Sequence, residues 1–191
     1  MELKHQWKRP MPGKRYTYQE YYDWDDGKRY ELIDGSAYLM EPAPEWGHQS
    51  IGVKLARFID EFLDGTSGKV FQAPFDVRLN TDAGDNTVLQ PDIVVLLDRS
   101  KLSGTGCLGV PDMVIEILSP STSSRDIVTK FNQYLHAGVP EYWIVDPVAE
   151  TVSAYILVTG RYVCTDYGKT DEAPIGVLNG CVIKLSKVFV D

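Results

Sequence analysis

Cysteine, long apolar runs and positive charge are all in short supply in this chain, and each shortage excludes something. Its 3 cysteines (Cys107, Cys164 and Cys181) are far apart, odd in number and never arranged as Cys-x-x-Cys. That pattern argues against a disulfide framework or a thiolate zinc site, and it fits reduced thiols in a cytoplasmic protein. No apolar stretch approaches the roughly 18 residues of a membrane span. The first 16 residues are polar and basic without a hydrophobic segment, so secretion is not expected. Lys and Arg number 19 against 27 Asp and Glu, a formal net charge of −8. Nucleic-acid binding normally comes with a basic face, and this balance counts against it. The deficit is uneven, however. Residues 1–15 hold Lys4, Lys8, Arg9, Lys14 and Arg15 against Glu2 alone, which leaves open a basic arm or a merely solvated terminus.

What is present is an ordinary globular composition, 43% hydrophobic and 24% charged, read as a single domain over residues 1–191. Thr17 to Asp26 reads as a short helix with Thr17 as N-cap. Arg29 to Met40 reads as a hairpin about Asp34-Gly35. After Pro42 and Pro44, the apolar positions Ile51, Leu55, Phe58, Ile59 and Phe62 recur at helical spacing. Val70–Leu79, disturbed by Pro74, then Leu89–Leu97 and Met113–Leu118 read as three strands. Ser121–Ser124 supply N-caps for a helix with the stripe Ile127, Phe131, Tyr134 and Leu135, closed by Gly138. Glu141–Asp146 is a fourth strand. Thr151–Val163 and Gly176–Val188 read as hairpins turning at Thr159-Gly160-Arg161 and Asn179-Gly180. The sum is an α/β or α+β domain: a mixed sheet flanked by helices, with extra β-hairpins in its N- and C-terminal parts.

One residue is out of place in that scheme. Glu116 lies inside Met113–Leu118, a run apolar on both faces, where an ionised carboxylate needs a cation or strong donors to offset desolvation. Asp92 similarly opens the apolar run 93–97, 24 residues earlier. If the two strands are neighbours, their acids can converge on one hard divalent cation such as Mg²⁺, which polarises a phosphoryl group and lowers the pKa of a bound water. Taken singly, Asp92 reads equally well as a loop cap and Glu116 as a core acid paired with an arginine. The pair together with Lys130 on the next helix points to a site.

These residues carry a resemblance. Gln90-Pro91-Asp92, Glu116-Ile117-Leu118-Ser119-Pro120-Ser121-Thr122, Lys130, Tyr134 and Gly138–Pro147 together resemble the Uma2 family of endonucleases, within the PD-(D/E)xK restriction-endonuclease-like superfamily. Tyr30–Gly35 and His48 fit the family's N-terminal part, and the likeness spans about residues 17–190. The resemblance implies that Asp92 and Glu116 are catalytic metal ligands, with the carbonyl of Ile117 completing the shell around Mg²⁺ or Mn²⁺. The superfamily pattern has a lysine two residues after the second acid, but Leu118 stands there. Lys130 is placed to supply a migrated amine that orients the attacking water and offsets charge. Its plain alternative is a surface pair with Asp126, worth about 0.2–0.5 kcal/mol.

Glu31 and His48 are further catalytic candidates. Glu31 would be a second carboxylate from the hairpin, and His48 would stand in for an acid at the start of the first core helix. A helix-terminal histidine satisfied by the backbone serves equally well for His48. Gln90 reads as a partner near the site or as a loop residue, Asp146 as a turn cap, Trp143 as core, and Trp46 as an exposed aromatic near the site. The functional expectation is a Mg²⁺-dependent endonuclease acting on nucleic acid, DNA foremost. The alternatives are an inactive binding module on the nuclease fold and a phosphohydrolase of small substrates. Hairpins at both ends allow a homodimer.

Overall fold

The computed structural model describes residues 8–40, 45–81, 84–119 and 124–190, without the side chains of 124–126. The N-terminal helix α1 (Tyr18–Tyr22) is shorter than its sequence suggests. Glu20 turns back to accept the Thr17 amide at 3.0 Å, and the helix stops at Tyr22. Strands β1 (Tyr30–Ile33) and β2 (Ser36–Leu39) form the expected hairpin, with Asp34 and Gly35 at φ 48° and 78°. Those positive values are what the Asp-Gly pair supplies in a two-residue turn. Helix α2 (Trp46–Leu63) buries Ile51, Leu55, Ile59 and Leu63, while Phe62 is left 41% exposed. Leu63, not Phe62, therefore ends the apolar face.

Two prolines set the architecture of the middle. The run 70–79 is not one strand but β3 (Lys69–Gln72) and β4 (Asp76–Arg78), with Pro74 between them. The run 89–97 likewise divides into β5 (Val88–Leu89) and β6 (Ile93–Leu96) around Pro91. Proline has no amide hydrogen to give a ladder, so each chain leaves its first sheet there and enters another. Strands β7 (Leu102–Ser103) and β8 (Gly106–Leu108) follow, then β9 (Met113–Ile117) and helix α3 (Ser124–Ala137). After β10 (Glu141–Asp146) come the long hairpin β11 (Thr151–Val158) and β12 (Arg161–Gly168), then β13 (Glu172–Pro174) and β14 (Val182–Lys184).

The result is an α+β fold with a mixed six-stranded central sheet, β12-β11-β10-β9-β6-β3, and a second six-stranded sheet, β2-β1-β5-β4-β8-β7. The N-terminal hairpin is thus the edge of a full sheet rather than an appendage. The last hairpin also begins earlier than expected, at Glu172, with 175–181 as its connection. Alternating residues of β6 and β9 face opposite ways. Ile93, Val95, Ile115 and Ile117 pack with α2, whereas Val94, Leu96 and Val114 pack with Tyr134 of α3 and with Ile33, Val77 and Leu89 of the second sheet. Leu55 and Ile59 are fully buried, and each such side chain contributes roughly 1.5–3 kcal/mol. Trp143 is core, as expected.

Part of the basic N-terminal arm is folded onto the body. Lys8 pairs with Asp23 at 3.1 Å, Lys14 with Glu20 at 2.9 Å, and the Met11 amide donates to the Tyr16 hydroxyl at 2.7 Å. Lys4 and Trp7 lie outside the described residues, as do the prolines at 42 and 44 and the N-caps at 121–123.

Candidate active site

Strands β6 and β9 run antiparallel with Ile93 opposite Ile115, so one further step sets Asp92 across from Glu116. An acid at the start of one strand and an acid at the end of its neighbour thereby meet at one end of the sheet. Helix α3 folds back over that end and brings Lys130 and Tyr134, one turn apart. The Lys130 ammonium donates to both Glu116 oxygens, Oε1 at 3.0 Å and Oε2 at 3.2 Å, and the Tyr134 hydroxyl donates to Oε1 at 2.8 Å. Glu31 arrives from β1 and takes Lys130 on its Oε1 at 3.0 Å, while the same oxygen accepts the Gln90 amide at 2.9 Å. One ammonium thus bridges two carboxylates that are 85 residues apart in sequence. The pairing of Lys130 with Asp126 is outside the described side chains.

Asp92 has a different set of partners. Its Oδ2 accepts the Ile117 amide at 2.7 Å and lies 3.3 Å from His48 Nε2. His48 is the third residue of α2, and its ring also bonds to the Ile117 backbone. The candidate histidine therefore reaches both the acid and the backbone expected to hold a metal. The five candidate side chains form two bonded sets, Glu31, Glu116 and Lys130 in one and Asp92 and His48 in the other.

The electrostatics are set by burial. The Glu116 side chain is only 14% exposed, and loss of water pushes its pKa up to about 7. The Lys130 ammonium opposes that rise, whereas the charges on Asp92 and Glu31 add to it. Burial favours the neutral amine of Lys130, but Glu116 and Glu31 outweigh it and hold the group protonated. Tyr134 is raised well above its ordinary value by burial and by the same two carboxylates, so it stays a hydrogen-bond donor. Burial also opposes protonation of His48, yet the Asp92 bond and charge prevail and raise its pKa. Three acids here face one full-time cation and one histidine, so negative charge is left over at the sheet end above about pH 7, where Glu116 is ionised.

Among the described residues no three His, Cys, Asp or Glu side chains converge as a ready metal cluster. The donor chemistry is nevertheless that of a hard cation: carboxylate oxygens of Asp92 and Glu116 beside the Ile117 backbone, in a site short of positive charge. These residues fit Mg²⁺ or Mn²⁺ better than a soft metal.

The remaining candidates divide cleanly. Asp146 accepts the Val148 and Ala149 amides at 2.8 and 3.0 Å and is a turn cap. Trp46 is 76% exposed two residues before His48, and Trp24 packs against Tyr16, Tyr21 and Tyr30. Gln90 has a larger part than its sequence context suggests. Its amide holds Glu31, its side-chain oxygen accepts Arg29, and its side-chain nitrogen donates to Asp76 at 2.8 Å. Neither Arg29 nor Asp76 carries a local signal of that role; they come together only through the second sheet.

The α+β architecture with a mixed central sheet flanked by helices is that of the restriction-endonuclease-like fold class. A crystal structure described as "a putative nuclease belonging to DUF820" from Anabaena variabilis superposes with a TM-score of 0.74 over 91% of this chain and 97% of that one, at 20% identity. The Uncharacterized protein slr1290 of Synechocystis is 27% identical over 171 residues, 88% of this chain and 82% of the relative. The model of the Uma2 family, described as "Putative restriction endonuclease", matches residues 18–185, and the chain belongs to that family.

Proposed function

We propose that this protein is an endonuclease that uses Mg²⁺ or Mn²⁺ to hydrolyse phosphodiester bonds of nucleic acid, DNA foremost. The observation that carries this reading is the single ammonium of Lys130 shared by Glu116 and Glu31 beside Asp92, an undercompensated acid cluster that invites a divalent cation. Asp92, Glu116 and the Ile117 carbonyl would hold the cation, which supplies Lewis acidity toward the phosphate oxygens. Lys130 orients the attacking water and offsets the charge that builds on the phosphoryl group. Glu31 and Tyr134 fix the positions of Lys130 and Glu116. His48 holds the Asp92 carboxylate in place.

The test is plasmid and single-stranded DNA cleavage with Mg²⁺, with Mn²⁺ and with chelator, using wild type, Asp92→Asn and Glu116→Gln. Metal-dependent nicking that both variants lose is the expected result. Equal nicking by all three proteins would overturn the site. One observation favours a second reading, a nucleic-acid-binding module without hydrolysis: Lys130 and Tyr134 already take up the Glu116 oxygens. DNA binding without cleavage under either metal would decide for it.

A further inference from the structure

A concave cleft lies next to the acid cluster and shares Gln90 with it. It is a cleft of about 710 Å³ lined by aromatic residues from two stretches of chain, Trp24 and Tyr30 in one and Phe71 and Phe75 in the other. Phe71 and Phe75 are stacked with ring centroids 4.3 Å apart. Asp76 and Gln90, each 8% exposed, supply the buried polar lining. The Asp76 carboxylate accepts only neutral donors: Gln90 Nε2 at 2.8 Å, the Tyr21 hydroxyl at 3.3 Å and the Tyr18 hydroxyl at 3.4 Å. Among the described residues no lysine, arginine or histidine pairs with it. Gly106 presses against this residue so closely that a Cβ there would stand 1.9 Å from the Asp76 carbonyl, so β8 meets β4 without a side chain between them.

These features select a ligand by chemistry. Asp76 Oδ1 already accepts Gln90 and Tyr21, but Oδ2 takes only the long Tyr18 bond and keeps room for one N–H, and a second N–H can displace the long Tyr21 bond from Oδ1. Aromatic side chains suit a flat π-system, since base stacking on such rings is favourable for every base. Lys28 and Arg29 at the lining disfavour a cationic ligand and suit a phosphate. Guanine presents two adjacent N–H donors on its Watson–Crick edge, which one carboxylate can accept together.

We propose that this cleft binds an unpaired guanine nucleotide, its base edge on Asp76 and its ring among the aromatics, and that Gln90 couples it to the acid cluster. The inference deepens the nuclease reading, because a nucleotide held there would place its strand beside Glu31 and Lys130. It makes the substrate a strand with an extruded or unpaired base rather than uniform duplex.

Calorimetric titration with GMP, AMP, CMP and UMP in chelator tests the cleft without any cleavage. GMP is expected to bind most tightly to the wild type, and Asp76→Asn to weaken GMP about tenfold or more. Ser103→Trp, a substitution at the lining outside the Asp76 hydrogen bonds, should weaken all four nucleotides while circular dichroism stays native. Equal affinities for the four nucleotides, or GMP binding unchanged in both variants, would overturn the proposal. Cleavage assays separate the two readings. Metal-dependent nicking that Asp76→Asn leaves intact, with no GMP selectivity in the wild type, removes the guanine cleft and keeps the nuclease. GMP binding without nicking does the reverse.

Discussion

Glu116 and Glu141 are both acids in buried strands of the central sheet, and they sit in adjacent parallel strands with opposite meanings. Glu141 is fully buried, and its oxygens accept the Trp143 indole N–H at 2.7 Å and the Val177 amide at 2.9 Å. Burial raises its pKa and these neutral donors pull it back. No cation approaches it among the described residues, and its bonds clip β10 to the C-terminal connection. Glu116 instead faces an ammonium shared with another carboxylate, and like charges press on it from two sides. A buried acid alone is therefore not a site. A buried acid whose surroundings leave charge unbalanced is a candidate for one.

The comparison can be broken most sharply at Glu116. Glu116→Gln should lower metal-dependent cleavage about a thousandfold or more, because it removes a carboxylate ligand that no neighbour replaces. The same substitution should leave the metal-free fold intact and stabilise it at pH 8 by on the order of 1 kcal/mol, as seen in chemical denaturation.

Lys130→Met comes next. It strands Glu116 and Glu31 without their cation and should destabilise the fold by about 3 kcal/mol as well as abolish cleavage. The double variant Glu31→Gln with Lys130→Met should recover much of the stability and none of the activity. Recovery of both would make Lys130 a purely structural lysine.

Glu141→Ala should lower stability by about 2 kcal/mol, since it leaves the Trp143 and Val177 N–H groups without acceptors. Cleavage per folded molecule should not change. A loss of activity matching that of Glu116→Gln would dissolve the contrast.

The last effect is in pH. Burial pushes the Glu116 pKa up to about 7 in the fold, against an ordinary value of 4.5 for a free side chain. Between those values the unfolded chain binds fewer protons than the native one, so stability of the metal-free protein should fall as pH rises. Denaturant midpoints measured across that window should slope downward in wild type and flatten in Glu116→Gln.

Much of this was legible locally. Asp34-Gly35 announces its hairpin, the spacing of Ile51, Leu55 and Ile59 announces α2, and a glutamate in an apolar strand announces Glu116. The division of two strands at Pro74 and Pro91 was not legible as a change of sheet, because a proline says where a ladder stops but not what the chain joins next. The meeting of Glu31 with Lys130 needs the second sheet packed against α3, a long-range event with no periodic trace. Arg29, Gln90 and Asp76 share that reason. Glu141 gives no warning either, since its partners come from Trp143, two residues on in the same strand, and from the distant Val177.

On the proposed function, the negative charge at the end of β9 receives a divalent cation. Calorimetric titration of Mn²⁺ into wild type, Asp92→Asn, Glu116→Gln and Glu141→Gln tests it most directly. Saturable binding in wild type and Glu141→Gln, lost in the other two, is the predicted result. No binding to wild type at millimolar Mn²⁺, or equal binding by Glu116→Gln, would contradict it.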